Sequence, residues 1–77
     1  MSRLLPVCDA IAANAARYLF AGALQALREA DSDEARLRAS FVLNGHLDSL
    51  WECSLLSGHE WKEANAEVYT FVWGPRP

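Results

Sequence analysis

The pattern of apolar and polar residues predicts a helix over residues 9–30, the longest uninterrupted helical pattern in the chain. Its polar positions recur at helical spacing and define one solvated face: Asn14, Arg17, Gln25 and Arg28. The opposite face is rich in small residues and has two larger neighbours: Ala12, Ala16, Leu19, Ala23 and Leu27, flanked by Phe20 and Leu24. Small side chains let another element approach closely, so we predict that this face is buried and that the helix is the spine of the fold.

A polar run at residues 31–34 ends this helix and begins the next. Asp31 with Glu34 resembles a capping box, which places the start of a second helix at about Ser32. Its predicted inward positions are Ala39, Leu43, Leu47, Leu50 and Ser54. The Asn44-Gly45 pair can end a helix or make a hairpin turn. The flanking residues do not alternate, so we favour a helix here, either continuous or broken into two pieces at the glycine.

A third helical segment begins at residues 57–60, where Ser57 and Glu60 form an S-x-x-E capping pattern. One face collects the apolar residues Trp61, Ala64, Val68, Phe71 and Val72, and the other carries Lys62, Glu63, Glu67 and Thr70. Gly74-Pro75 is a suitable stop. Residues 68–73 are all β-branched or aromatic, so a strand is the competing interpretation. We predict a mainly α, small three- or four-helix domain whose C-terminal segment is a helix or a single strand.

Composition narrows the class of protein. The 77 residues are enough for one small domain, and an apolar fraction of 52% is not that of a disordered chain. The net charge of −3 argues against direct nucleic-acid binding, which needs a basic stripe. The chain lacks an apolar run of the length that spans a membrane, and Asp9 interrupts the only stretch resembling a signal peptide. We therefore expect a cytoplasmic protein that does not bind membranes.

Residues able to carry chemistry are few. Cys8 and Cys53 are expected to be reduced and half-buried, with a bridge between them as the alternative. His59 and Glu63 are spaced to share one ion, yet the string HEWKE lacks the second histidine of a zinc protease. Cys53, the histidines and Asp48 supply the residue types of a nucleophilic site without a diagnostic spacing. We expect neither enzymatic activity nor a metal or other cofactor.

The second half of the chain is acidic and aromatic. Residues 46–67 carry five carboxylates against Lys62 alone, a net charge of −4: Asp48, Glu52, Glu60, Glu63 and Glu67. Trp61 and Trp73 are suited to anchor an interface, since tryptophan is a frequent hot-spot residue. We predict that these seven residues form a surface for a protein partner with a basic face. The arginines near the first inter-helix turn are interleaved with acidic residues, and we expect them to pair within the chain: Arg17, Arg28, Arg36 and Arg38.

In size, acidity and stand-alone character the chain resembles small phage-encoded inhibitors, in particular anti-CRISPR proteins. The resemblance implies a Cas protein or multi-subunit effector as the partner, steric blocking as the action, and the host cell cytoplasm as the location. The alternative is a homo-oligomeric structural or regulatory domain, in which the small-residue helix is the seam of a homodimer.

Overall fold

The computed structural model describes residues 4–74, which form four α-helices and one short 3-10 turn. The helices are α1 (Pro6–Ala12), α2 (Tyr18–Glu29), α3 (Asp33–Glu52) and α4 (Gly58–Trp73). The prediction of a mainly α fold is confirmed. The C-terminal segment is helical, and the described residues contain no strand.

The prediction of a single helix over residues 9–30 is wrong, because the helix is interrupted between Ala12 and Tyr18. Asn14 adopts an extended conformation, and its side chain accepts a hydrogen bond from the Ala16 amide at 2.9 Å. An asparagine that bonds to nearby backbone offers the chain an alternative to the helix ladder. A 3-10 turn (Ala15–Arg17) then leads into α2.

This break changes the face that α2 buries. Phe20, Leu24 and Leu27 are buried, whereas Ala16 and Leu19 are exposed. The small-residue face was therefore predicted wrongly as a continuous buried stripe, although Ala12 and Ala23 pack partly against the core. The large side chains decide the orientation, because they remove far more apolar area from water than alanine does.

Helix α3 begins at the predicted place but with a different cap. Ser32, not Asp31, is the N-cap, and its side chain accepts a hydrogen bond from the Ala35 amide at 3.1 Å. The helix passes through Asn44 and Gly45 without interruption, which confirms the continuous alternative. Most predicted inward positions are buried or partly buried, but Ser54 is exposed beyond the helix, in the left-handed region with φ 60°.

Helix α4 follows the prediction closely. Ser57 and Glu60 form a complete capping box, with both hydrogen bonds at 3.0 Å. The predicted apolar face is the buried one: Ala64, Val68 and Phe71 are buried, and Trp61 and Val72 are partly buried. The helix ends at Trp73, and the following residue, Gly74, has a φ of 84° that suits a residue without a side chain. Pro75 lies outside the described residues.

The four helices form a closed ring in chain order, in which α1 packs against both α2 and α4 and completes the circuit. The core lies inside this ring and takes residues from every helix, with Leu5, Cys8 and Ile11 contributed by the first segment. Among residues 4–74, no helix is both long and apolar enough to cross a membrane.

We expect Leu24→Ala to lower the free energy of unfolding by about 2–5 kcal/mol, because it leaves a cavity in the core. Leu19→Ala is the matched control on the same helix, since Leu19 is 64% exposed and Leu24 only 2%. The control should stay within about 0.5 kcal/mol of wild type. Chemical denaturation followed by circular dichroism measures both, and equal losses would contradict the buried face described for α2.

Candidate protein-binding surface

An open groove of about 740 Å³ runs along the outer side of α3 and α4. Three aromatic residues line it with much of their surface in water: Phe41 (64% exposed), Tyr69 (40%) and Trp73 (62%). Tyr69 and Trp73 are four residues apart on α4, with ring centroids 6.5 Å apart. We call these three residues and the space between them the aromatic groove.

The groove follows from the direction in which α3 and α4 turn their apolar faces. Leu43 and Val68 point into the core, and this rotation leaves Phe41 and Tyr69 on the outside. Short side chains also line the groove, Ser40 and Ala66 among them. Large aromatic residues beside small ones make a concave surface.

The Trp51–Trp61 pair, next to one end of the groove, is held together by stacking. The two rings have centroids 4.4 Å apart and planes inclined by 19°. The Trp61 Nε1–H donates a hydrogen bond of 2.9 Å to the Asp48 carboxylate. The structure thus brings together two of the predicted partner-binding residues, Asp48 and Trp61, but uses them to join α3 to α4.

Glu67 has a role that the sequence did not reveal. Its carboxylate accepts hydrogen bonds from the amides of Val7 (2.8 Å) and Cys8 (3.0 Å), in the first turn of α1. Those amides have no partner within their own helix, because the first N–H groups of a helix never do. Pro6 precedes them and contributes no N–H. The prediction that Glu67 leans outward is wrong, and its carboxylate caps α1.

The other carboxylates of α4 are also engaged. Glu60 belongs to the capping box, and the hydrogen bond from the Ser57 backbone lowers the pKa of Glu60. Glu63 lies 2.7 Å from the His59 ring nitrogen in an exposed pair one helical turn long. Glu60, Glu63 and Glu67, three of the predicted partner-binding residues, therefore each have a separate contact within the chain.

Negative charge does remain near the end of the groove where Trp51 and Trp61 stack. Within residues 4–74, neither Asp48 nor Glu52 forms an ion pair, and Glu52 is exposed on the last turn of α3. Trp73 lies at the opposite end, where Asp33 pairs with Arg36 and Glu34 with Arg38. Carboxylates thus lie near the Trp61 end of the groove, beside the Lys62 of its lining, whereas the charges at the Trp73 end are paired.

Sequence reasoning identified Trp73 but missed Phe41 and Tyr69 as surface residues. The signal for Phe41 was present, since Phe41, Val42 and Leu43 are consecutive and a helix cannot bury all three on one face. Only Leu43 is buried. Tyr69 could not be assigned while residues 68–73 allowed both helix and strand.

Three of the four arginines near the first inter-helix turn pair within the chain, as predicted, whereas Arg17 forms no ion pair among residues 4–74. Arg28 makes a two-pronged contact with Asp9, at 2.7 and 2.9 Å, and this contact lowers the pKa of Asp9. The pairs of Arg36 with Asp33 and Arg38 with Glu34 measure 2.7 and 2.6 Å. The positive charges of these three arginines are therefore compensated within the chain, which makes a phosphate-binding surface here less favourable.

Both cysteines are free, but their environments differ, contrary to the prediction of two half-buried thiols. Cys8 is fully buried, and its Sγ–H donates to the Ala64 carbonyl at 3.7 Å. Burial, together with the nearby Glu67 charge, raises the pKa of the Cys8 thiol to about 12. Cys53 is exposed at the end of α3.

The two histidines contact other side chains and do not meet each other or Cys53. The ring of His46 lies edge-on to Phe20, with centroids 6.5 Å apart, and His59 faces Glu63. In the described part of the chain, no three histidine, cysteine or carboxylate side chains converge on a point that could hold a metal ion.

Comparison with protein-family models, curated proteins and solved structures finds no match to this chain. Residue roles are therefore inferred from geometry, burial and charge.

We expect Glu67→Gln to lower the free energy of unfolding by about 1–3 kcal/mol, because the capping of α1 loses its charge and one acceptor oxygen. Hydrogen exchange at the Val7 and Cys8 amides should accelerate more than exchange in α3. Glu52→Gln is the matched control, since it removes the same charge from an exposed carboxylate. If the two variants melt alike and exchange alike, Glu67 does not hold α1.

We expect a thiol-alkylating reagent to modify Cys53 and spare Cys8 in the folded protein at about pH 8, because the thiolate is the reactive form. Cys8 is buried and keeps its proton, whereas Cys53 is in contact with water. Mass spectrometry should find one adduct on the native chain and two in denaturant. Native modification of Cys8 at the rate of Cys53 would show that α1 opens freely.

Proposed function

We propose that this chain is a non-enzymatic protein-binding inhibitor that docks on a basic surface of its partner through the outer side of α3 and α4. The observation that carries the proposal is the aromatic groove, which has Glu63 in its lining and Asp48 bonded to the adjoining Trp61. Exposed apolar surface that is concave and bordered by polar residues is typical of interaction sites. Aromatic side chains are the usual anchors of such sites.

The acidic end gives the surface a preferred partner. Asp48 and Glu52 carry charges that no basic side chain of the described residues neutralises, and Glu63 lies beside the groove. A basic partner surface gains complementary charge there, which speeds encounter and disfavours acidic partners. The overall charge of −3 acts in the same direction.

Steric action fits this surface better than catalysis. Asp48 is bonded to Trp61, His59 to Glu63, and neither histidine hydrogen-bonds to Cys53. A nucleophilic site needs a base within hydrogen-bond reach of the nucleophile. The class of inhibitor that we propose is that of the anti-CRISPR proteins, with a Cas protein or effector complex in the host cytoplasm as the partner and no direct contact with nucleic acid.

The alternative is a homo-oligomeric structural or regulatory domain. A second exposed apolar pair favours it, since Tyr18 is 72% and Leu19 64% exposed at the start of α2. The seam would then lie on α2, away from the aromatic groove. Sedimentation velocity separates the two proposals: a dimer that Leu19→Ala dissociates supports the oligomer, and a monomer at all concentrations supports the inhibitor.

We expect expression of the chain to restore phage plaquing on at least one bacterial strain whose CRISPR system targets that phage. Reversing two carboxylates near the groove, Glu52→Lys with Glu63→Lys, should weaken protection and slow association with the purified effector complex. Affinity of the wild type should fall as ionic strength rises, because exposed charges are screened beyond about 8 Å at physiological salt.

The matched control reverses two exposed carboxylates, Glu29 at the end of α2 and Asp31 just after it, and should protect like wild type. Circular dichroism establishes that every variant is folded. A folded wild-type chain that protects no strain of a panel covering the known effector types would contradict the inhibitor proposal. Equal protection by both double variants would remove the acidic end of the groove from the mechanism.

A further inference from the structure

We infer that the occupant of the aromatic groove is one amphipathic helix of the partner, with apolar anchors at the Trp73 end and lysine or arginine side chains at the Asp48 end. The inference rests on the proposed function, and it specifies the structural class of the partner segment. It is carried by the shape of the groove, the absence of strand edges in residues 4–74, and the distribution of charge along the groove.

The groove is a gap between two helices of opposite direction. Asp48 of α3 meets Trp61 near the start of α4, whereas Trp73 at the end of α4 lies beside Leu37 and Asp33 near the start of α3. Side chains of a third helix fit between two such rows, since helices pack by placing ridges into grooves. The inner side of α3 and α4 already receives the rest of the ring in this way, and the outer side is open.

The mode of binding is limited by the hydrogen bonding of the groove itself. An extended peptide adds to a protein by pairing with an exposed strand edge. The described residues contain no strand, and the backbone of α3 and α4 is bonded within the helices. Side chains must therefore supply the contacts. An amphipathic helix satisfies its own backbone and presents only side chains, so it suits this surface.

Two polar side chains that line the groove donate hydrogen bonds within their own helices. The Ser40 hydroxyl donates to the Leu37 carbonyl at 2.7 Å, and the Asn65 amide donates to the Trp61 carbonyl at 2.8 Å. Each of these side chains already has one partner within its helix, which lowers the cost of covering it with an apolar side chain.

The length of the occupant follows from the length of α4. The groove extends along α4 from His59 to Trp73, which at 1.5 Å per residue is about 21 Å. A partner helix of about four turns covers this distance and presents apolar side chains with i, i+3, i+4 and i+7 spacing.

The two ends of the aromatic groove differ in charge, and this difference orients the partner helix. Glu63 lines one end of the groove, Asp48 lies next to that end through its hydrogen bond with Trp61, and Glu52 follows Asp48 by one turn of α3. Lys62 is a basic side chain of the same lining, and His59 is paired with Glu63. At the other end Asp33 and Glu34 are paired with arginines. A helix with its basic residues confined to one end matches this arrangement, and one with acidic residues there does not.

The experiment uses synthetic helical peptides of about 18 residues, long enough to cover the groove. One peptide has a leucine and tryptophan stripe at helical spacing and lysines at one end. A second replaces those lysines with glutamates, and a third has the same composition with the helical spacing scrambled. Binding to the full chain is followed by amide chemical shifts in nuclear magnetic resonance.

We expect the lysine peptide to shift amides around Phe41, Ala66 and Trp73, with those around Tyr18 unchanged. The affinity of the glutamate peptide should be lower by a factor of about ten or more, and the scrambled peptide should not bind. Ala66→Arg should abolish binding by filling the groove, whereas Ala26→Arg, at an exposed alanine of α2, should leave binding intact. Both substitutions lie outside the core, so the fold is retained.

Three results would overturn the inference: no shifts with any peptide, shifts confined to α2, or a wild-type dimer whose interface is the aromatic groove. The plaquing assay is read separately. If the chain protects a strain and the Ala66→Arg variant still protects it, the inhibitor proposal stands, and the inference that a partner helix occupies the groove fails. If the lysine peptide binds the groove but no strain is protected, the inference of an amphipathic helix as the ligand stands, and the inhibitor proposal fails.

Discussion

The Glu67 carboxylate joins the last helix of this chain to the first. Helix α1 has seven residues, too few to be stable alone, because a helix gains little until several turns have formed. It is held by two hydrogen bonds from its first turn to Glu67 and by the burial of Cys8 and Ile11. Without α1 the ring of helices is open, and the core surface of α4 meets water.

The same carboxylate also shows why acidic residues in a small protein need individual examination. Of the five carboxylates in residues 46–67, Glu60 caps its own helix, Glu67 caps another, and Asp48 fixes a tryptophan ring. A sequence shows these residues as a block of charge. In the structure, Glu63 lines the groove, Glu52 is exposed on the last turn of α3, and the other three carboxylates serve the fold.

Local signals were predictable, and the relations between distant segments were not. The capping box at Ser57 and Glu60 and the buried face of α4 follow from residues close in the chain, and both are as predicted. The break at Asn14 was missed, because asparagine competes with the helix through a single local hydrogen bond that periodicity does not register. Glu67 contacts residues about sixty positions away, and nothing in its own neighbourhood indicates them. The aromatic groove has the same character, because it depends on how far α3 and α4 rotate as they pack.

The two glycines inside α2 and α3 have a consequence for the engineering of this protein. A side chain added at Gly22 or Gly45 would meet no atom within 4 Å, so an alanine would fit at either position. Glycine in a helix interior is less favourable than alanine by about 0.5–1 kcal/mol, chiefly through chain entropy. Both alanines together would add a reserve of about 1–2 kcal/mol without touching the groove, if the two sites act independently. Such a reserve would widen the range of substitutions that the α3–α4 surface tolerates, so that affinity could be altered with the fold intact.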